Sequence, residues 1–553
     1  MGVATYIEIL QFKQKLQQWL EQQLSNISHA PYIVFFSYGM PDQRCKVWST
    51  YADDAKTTIN RTLKFVDQYI EKNRVLPEFL KFDVVTKIEK KQWASVLQEI
   101  DKQMHNNHYR KGISFDEKFT VCFLEQEIYG RAIIRGLVYN KPNFVDQANL
   151  NSTIKMKYPN LKVQYDIEKI EEIWVFDTKA AYFENGDFIE LHGIGPFNGV
   201  RIQQGDKKQH VKEIIQANAR FLHDQIKESG QFVYGYNAAY ARELKGYNTV
   251  RHCTSLYALL ETLEVENNKA YLIKIQKGMQ FAIHQFYKKV GDLAFMIDGS
   301  EGNHEIKMGA NAAAIFMFAK YQELTGDDSY QKYAEALASG ILSMIDEQGE
   351  TTHVLKYPSL EEKEKFRIVY YDGEAALGLL RLYQLNQDPI LLDTVRLMFE
   401  HFIAKKYDKY HDHWLSYCAN ELTKIDPQEK YFQFGLNNYL KHMSFINERK
   451  TAYATFLEMM MSAYKMVKRL KEQGYETLYE SARFEELKEL IEWRVEYQRT
   501  GFFYPEVAMY TAEPSKILNA FYVRHDRFRA RIDDQEHNLS GYIAYYCFFE
   551  SQK

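Results

Sequence analysis

The sequence predicts an α+β protein, with a mixed α/β region over residues 1–205, in one or two modules, followed by a helical toroid of six hairpins over residues 206–553. Three observations carry this. Strand-like alternation is concentrated in the first third of the chain. From about Lys207 onward, helical periods follow one another with few breaks. Within that stretch alternate helices differ in kind: one is apolar on nearly every face and the next is amphipathic.

In the first third, Tyr6 to Gln23 has apolar residues at helical spacing, and Tyr32 to Tyr38 reads as a buried strand. Asp53 to Lys72 is predicted as a helix capped by Asp53 or Asp54. Leu80 to Ile88 alternates as a strand, and Lys91 to Gln103 returns to helix. Phe119 to Leu124 and Arg131 to Gly136 are strand-like, and Glu172 to Thr178 and Asp187 to Leu191 flank an Asn185-Gly186 turn. No GxxxxGK[ST] is present, and no GxGxxG opens a helix after a strand, so no nucleotide motif is found.

About twelve helices are expected after residue 206, in pairs repeating roughly every 50 to 65 residues. One set opens with small residues and then turns apolar all round: Thr254 to Leu260, Ala310 to Ala319, Gly373 to Leu380, Ala452 to Met460 and Ser540 to Tyr546. A helix apolar on every face is buried on every face. The partners, such as Tyr330 to Leu337 and Leu391 to Phe402, are amphipathic and belong outside. Gly326 and Pro389 break the chain between an inner and an outer helix. Six such hairpins close into a ring.

Lys and Arg number 70 against 74 Asp and Glu, a formal charge of −4, so no electrostatic footprint for nucleic acid is present. No run approaches a membrane span, and no signal-peptide pattern opens the chain. The five cysteines are scattered and form no CxxC pair, which argues against a disulfide framework or a cysteine zinc site. The expected location is cytoplasmic, without cofactor. Aromatic residues reach 15%, with 41 Tyr and 35 Phe, which suits either sugar stacking or a wide helical core.

The alternation of buried and amphipathic helices resembles the (α/α)6 toroid enzymes: six-hairpin glycosidases, uronyl hydrolases and the N-acylglucosamine 2-epimerase group. The resemblance lies in the helix pattern and transfers no residue. It implies a carbohydrate or another small polar substrate. Prenyltransferase subunits and lanthionine cyclases are also toroids, but no Cys/His set matching the cyclase zinc ligands is found here.

In such a ring the inner helices run parallel, so their N-termini, with free N–H groups and a partial positive charge, meet on one face. The segments entering those helices are crowded with polar residues: Arg251 and His252; Asp298 and His304; Tyr370, Asp372 and Glu374; His413 and Trp414; Asn447 to Thr451; Arg531, Asp533, Asp534 and His537. The opposite ends are plain turns. Paired carboxylates with split pKa values suit glycoside hydrolysis, so Asp533, Asp534, His537, Asp372 and Glu374 are the candidate catalytic groups. Arg251, His252, Asp298, His304, Tyr370, His413, Trp414 and Arg531 are the candidate substrate contacts. His411 and His413 have metal-like spacing without an obvious third ligand, and no metal is expected. Two alternatives stand beside hydrolysis: epimerisation or elimination with histidine as acid and base, and a non-catalytic role in glycan binding or polysaccharide assembly.

Overall fold

The computed structural model describes residues 6–28, 30–73, 75–103, 109–136, 143–299 and 302–550. The chain forms two compact units, the first of them including residues 1–205. Two later segments, 236–243 and 499–530, pack with the first unit instead of the ring.

The first unit is built on a seven-stranded sheet in which every pairing is antiparallel. The strand Tyr32–Gly39 shows why its sequence is apolar without alternation: both faces are covered. Val34 and Phe36 pack in a core with Phe12, Leu16 and Leu20 of the helix Tyr6–Ser25. Ile33 and Phe35 face a second core that includes Met509 and Tyr510. Segment 499–530 belongs here because it supplies the cover for that second face. Its own short elements carry no periodicity that would announce it.

The second unit is a closed (α/α)6 toroid. Its inner helices are Thr249–Glu261, Met308–Thr325, Tyr370–Asn386, His413–Ile425, Thr455–Glu472 and Ile532–Phe548. Each packs on the next in that order, and the sixth packs on the first. The outer helix of the sixth is Lys207–Asp224, so the two ends of the unit's chain close the ring together. Small residues set the spacing. Every residue of the second inner helix from Met308 to Tyr321 is buried. A Cβ on Gly373 would lie 2.8 Å from the backbone nitrogen of Leu415, so glycine is what permits the third and fourth inner helices to approach there. Strand signals do not vanish in this unit: residues 287–364 include a five-stranded antiparallel sheet around the entries of the second and third inner helices. Its strands run three to six residues, too short for a period to show. No helix among the described residues is long and apolar enough to cross a membrane.

Further along, polar contacts join neighbouring inner helices: Glu261 accepts from Ser540 at 2.6 Å, and Arg381 pairs with Glu421 at 3.7 Å. Lys320 pairs with Glu264, just beyond the first inner helix. Enclosure raises the Glu261 pKa from 4.5 to about 7, with Lys320 and Arg381 partly opposing. The folded chain therefore keeps a proton on Glu261 that the unfolded chain releases. The resulting penalty is absent below pH 4.5, grows as pH rises and is complete above about 7. The difference corresponds to about 3 kcal/mol, which the side chain's residual solvent contact reduces to about 2 kcal/mol. Glu261→Gln is expected to stabilise the protein by that amount near pH 8 and to change nothing near pH 4. Urea midpoints at the two pH values check this, and a destabilised variant near pH 8 would refute it.

Candidate active site

The N-terminal ends of the inner helices bring together groups far apart in sequence. Arg251, on the first, donates through Nε to Asp533 Oδ2 on the sixth at 2.8 Å and through Nη1 to the Tyr234 hydroxyl at 2.9 Å. Arg531 pairs with the same Asp533. Asp533 thus sits between two guanidinium groups. Burial opposes the charge on Arg251, but Asp533 and Tyr234 more than offset it and raise its pKa.

Beside this triad lies a group from the third to sixth inner helices. Glu374 is 3% exposed, and its Oε2 is buried without a hydrogen-bond partner. Burial, reinforced by the nearby carboxylates of Asp412 and Glu536, pushes its pKa well above the usual carboxyl value, so it stays protonated. Asp412 caps the fourth inner helix through Oδ2, accepting from Leu415 N at 3.0 Å, while its Oδ1 has no hydrogen-bond partner. His413 Nδ1 is 3.1 Å from that Oδ1, and His413 Nε2 is also buried without a partner. The His413 ring meets Tyr370 and His537 edge to face, at 5.4 and 5.1 Å. Trp414 lies over Phe316 at 5.4 Å and forms an aromatic wall next to His413.

His537 is held by two carboxylates. Its Nδ1 is 2.9 Å from Glu458 Oε2 and 3.1 Å from Glu536 Oε1. Burial alone would lower its pKa, but these two anions hold it well above the ordinary imidazole value. Burial likewise raises Glu536, with His537 opposing. Glu458 was not among the expected residues. Its signal is a lone carboxylate in the apolar run Phe456 to Met461, since an ionisable group buried on an otherwise apolar helix is rarely without a task.

Other expected groups lie apart from this arrangement or are fully engaged. Asp372 is 1% exposed, and both its oxygens are taken, Oδ1 by the Thr351 hydroxyl at 2.6 Å and Oδ2 by His353 Nε2 at 2.9 Å. Asp534 accepts from the Arg531 backbone N–H at 2.8 Å and caps its own helix. His252 is completely buried between the Tyr247 hydroxyl at 2.7 Å and the Gly278 carbonyl at 2.9 Å. Burial lowers its pKa to about 4, so it stays neutral and ties the first inner helix to its outer partner. Asp298 pairs with Lys307 at 2.6 Å and accepts from Thr249 at 3.3 Å. His304 meets Tyr357 edge to face at 6.2 Å, and its neighbours Ser300 and Glu301 lie outside the described residues. His411 Nδ1 contacts the Asn438 carbonyl at 2.7 Å, and its ring stacks on His442.

One set of described residues has the composition of a metal site: His413, Glu458 and His537 place ligand atoms within 4.8 Å of one another. Tetrahedral zinc with bonds near 2.1 Å needs separations of about 3.4 Å. The 2.9 Å contact of Glu458 with His537 suits a shared proton.

No protein-family model matches the chain, and no curated protein matches it in sequence. Among solved structures, it is similar to a D-mannose isomerase, with TM-score 0.47 and 11% identity over 62% of this chain and 98% of that one. It is similar to a cellobiose 2-epimerase from Bacillus thermoamylovorans B4167, with TM-score 0.47 and 13% identity over 61% of this chain and 99% of that one. It is also similar to a GH76A α-1,6-mannanase from Salegentibacter sp. HEL1_6, with TM-score 0.43 and 11% identity over 60% of this chain and 98% of that one. At these values the likeness is one of chain trace, and the site stands on its own geometry.

Proposed function

We propose that the ring is a carbohydrate isomerase or epimerase that moves a proton at the carbon next to a sugar's carbonyl. His413 and His537 are the proton-transfer pair, and Glu374 holds the carbonyl oxygen. The observation that carries this reading is a set of three buried polar atoms without partners, Glu374 Oε2, Asp412 Oδ1 and His413 Nε2, beside two imidazoles 5.1 Å apart. Each such atom costs roughly 1–3 kcal/mol when left unpaired. A polyhydroxylated ligand would satisfy all three, with Trp414 and Tyr370 offering apolar ring faces.

The chemistry follows from the protonation states. With an open-chain aldose bound, His413 Nε2 takes the proton from C2, and the electron pair moves into the carbonyl. The enediolate oxygen that forms is hydrogen-bonded by the protonated Glu374 carboxyl. His537, held as an imidazolium by Glu458 and Glu536, returns a proton. Delivery to the other face of C2 gives the epimer; delivery to C1, with the C2 hydroxyl proton passing to O1, gives the ketose. Exchange of protons with solvent restores both histidines.

Hydrolysis needs one protonated and one ionised carboxyl on either side of a bond. Here Asp533 lies between two arginines, Asp534 caps a helix and Asp372 is tied to Thr351 and His353. Glu374 remains as a protonated acid, and Glu458 and Glu536 are both held against His537, so among these carboxyls no unengaged ionised partner is left for it. Proton NMR in deuterium oxide with a panel of neutral aldoses and ketoses tests the proposal. The expected result is interconversion with solvent deuterium at C2 of an epimer or at C1 of a ketose. New reducing ends from oligosaccharides without deuterium at C1 or C2 would overturn it in favour of hydrolysis.

A further inference from the structure

We propose that Tyr417 is a positioning residue of this site, acting on His537 through Glu458. The inference rests on the reading above and names a residue that touches no reacting atom. Tyr417 lies on the fourth inner helix, one turn beyond His413, and its hydroxyl donates to Glu458 Oε1 at 3.1 Å. The other oxygen of Glu458 takes the Nδ1 proton of His537 at 2.9 Å. The three groups form a line across three inner helices, with the tyrosine buried at its inner end.

The physical consequence is specific. A carboxylate with one oxygen tied by a buried hydroxyl has a fixed plane and a lowered basicity. Its second oxygen then holds His537 by Nδ1, which leaves Nε2 as the nitrogen that meets substrate. A parallel contact supports the second carboxylate: the Thr254 hydroxyl donates to Glu536 Oε2 at 3.2 Å. The charged and titratable groups facing His537 are therefore Glu458, Glu536, His413 and Glu374, and Glu458 accepts a hydrogen bond from the Tyr417 hydroxyl.

Tyr417→Phe keeps the ring and removes the donor. Glu458 becomes more basic, and the proton it shares with His537 is held more tightly. In the full-length variant, nitrogen-15 NMR of the His537 ring across pH is expected to show deprotonation at higher pH than in the wild type. The alkaline limb of kcat moves the same way, with kcat reduced roughly tenfold and KM within about twofold. Glu458→Gln moves the His537 titration in the opposite direction because it removes the anion. Tyr257→Phe is the packing control, since Tyr257 is a buried neighbour that interacts with Glu261 instead, and it leaves the His537 titration in place. A His537 titration in Tyr417→Phe that superimposes on the wild type overturns the proposal. This readout needs no substrate, so failure of every sugar to exchange deuterium would sink the isomerase reading while the ring titration still decides the role of Tyr417.

Discussion

His537→Asn is expected to lower the rate of deuterium exchange into the substrate by roughly 1,000-fold while leaving the unfolding midpoint close to the wild type. Asparagine is a controlled loss. Its amide reaches about as far as Nδ1 and can still donate to Glu458, so the buried carboxylate keeps a partner. What disappears is Nε2 and the titratable proton. His413→Asn is expected to have a similar effect, because His413 Nε2 is the unpartnered base of the pair. The double variant should be little worse than either single one, since a two-base transfer fails once either group is gone. If His537→Asn retains more than about a tenth of the wild-type rate, the pair is not the proton-transfer machinery.

Asp372→Ala addresses the opposite kind of residue. Position 372 has the sequence credentials of a catalytic carboxylate at the entry of an inner helix, and the structure surrounds it with donors. The backbone N–H groups of Arg367 and Ile368 donate to His353 Nδ1 at 3.0 and 3.3 Å. The proton of His353 is therefore on Nε2, pointed at Asp372. Removing the carboxylate leaves a completely buried imidazole N–H and a buried hydroxyl without acceptors. The expected loss is about 2–4 kcal/mol, read from chemical denaturation. The folded fraction should still exchange deuterium within about threefold of the wild-type rate, because no reacting group is touched. A variant of unchanged stability that has lost exchange would return Asp372 to the catalytic set.

These two residues show where inference from sequence stops. The helices of the ring were legible because their signals are local. Runs such as Ala310 to Ala319 are apolar on every face, and the breaks at Gly326 and Pro389 fall between inner and outer helices. The crowding of polar residues at the six entries was legible for the same reason. The short strands within 287–364 and the allegiance of segment 499–530 were not, since neither has a period of its own.

Nothing in the sequence distinguishes Asp372 from Glu374, two positions apart on one helix. Only the tertiary structure decides that Asp372 meets His353 and Thr351 while the Glu374 carboxyl is buried among other acids. The same holds for Asp533, whose partner Arg251 is 282 residues away, and for Glu458, whose meaning depends on His537 and Tyr417. Helix formation depends on neighbours within a turn or two, so composition and spacing record it. Protonation state and availability depend on whichever groups lie within a few ångströms, and those come from other helices. The order of buried and amphipathic helices was thus determined by the sequence itself, and closure of the ring decided which of its acids and histidines are held in place and which are left unpaired.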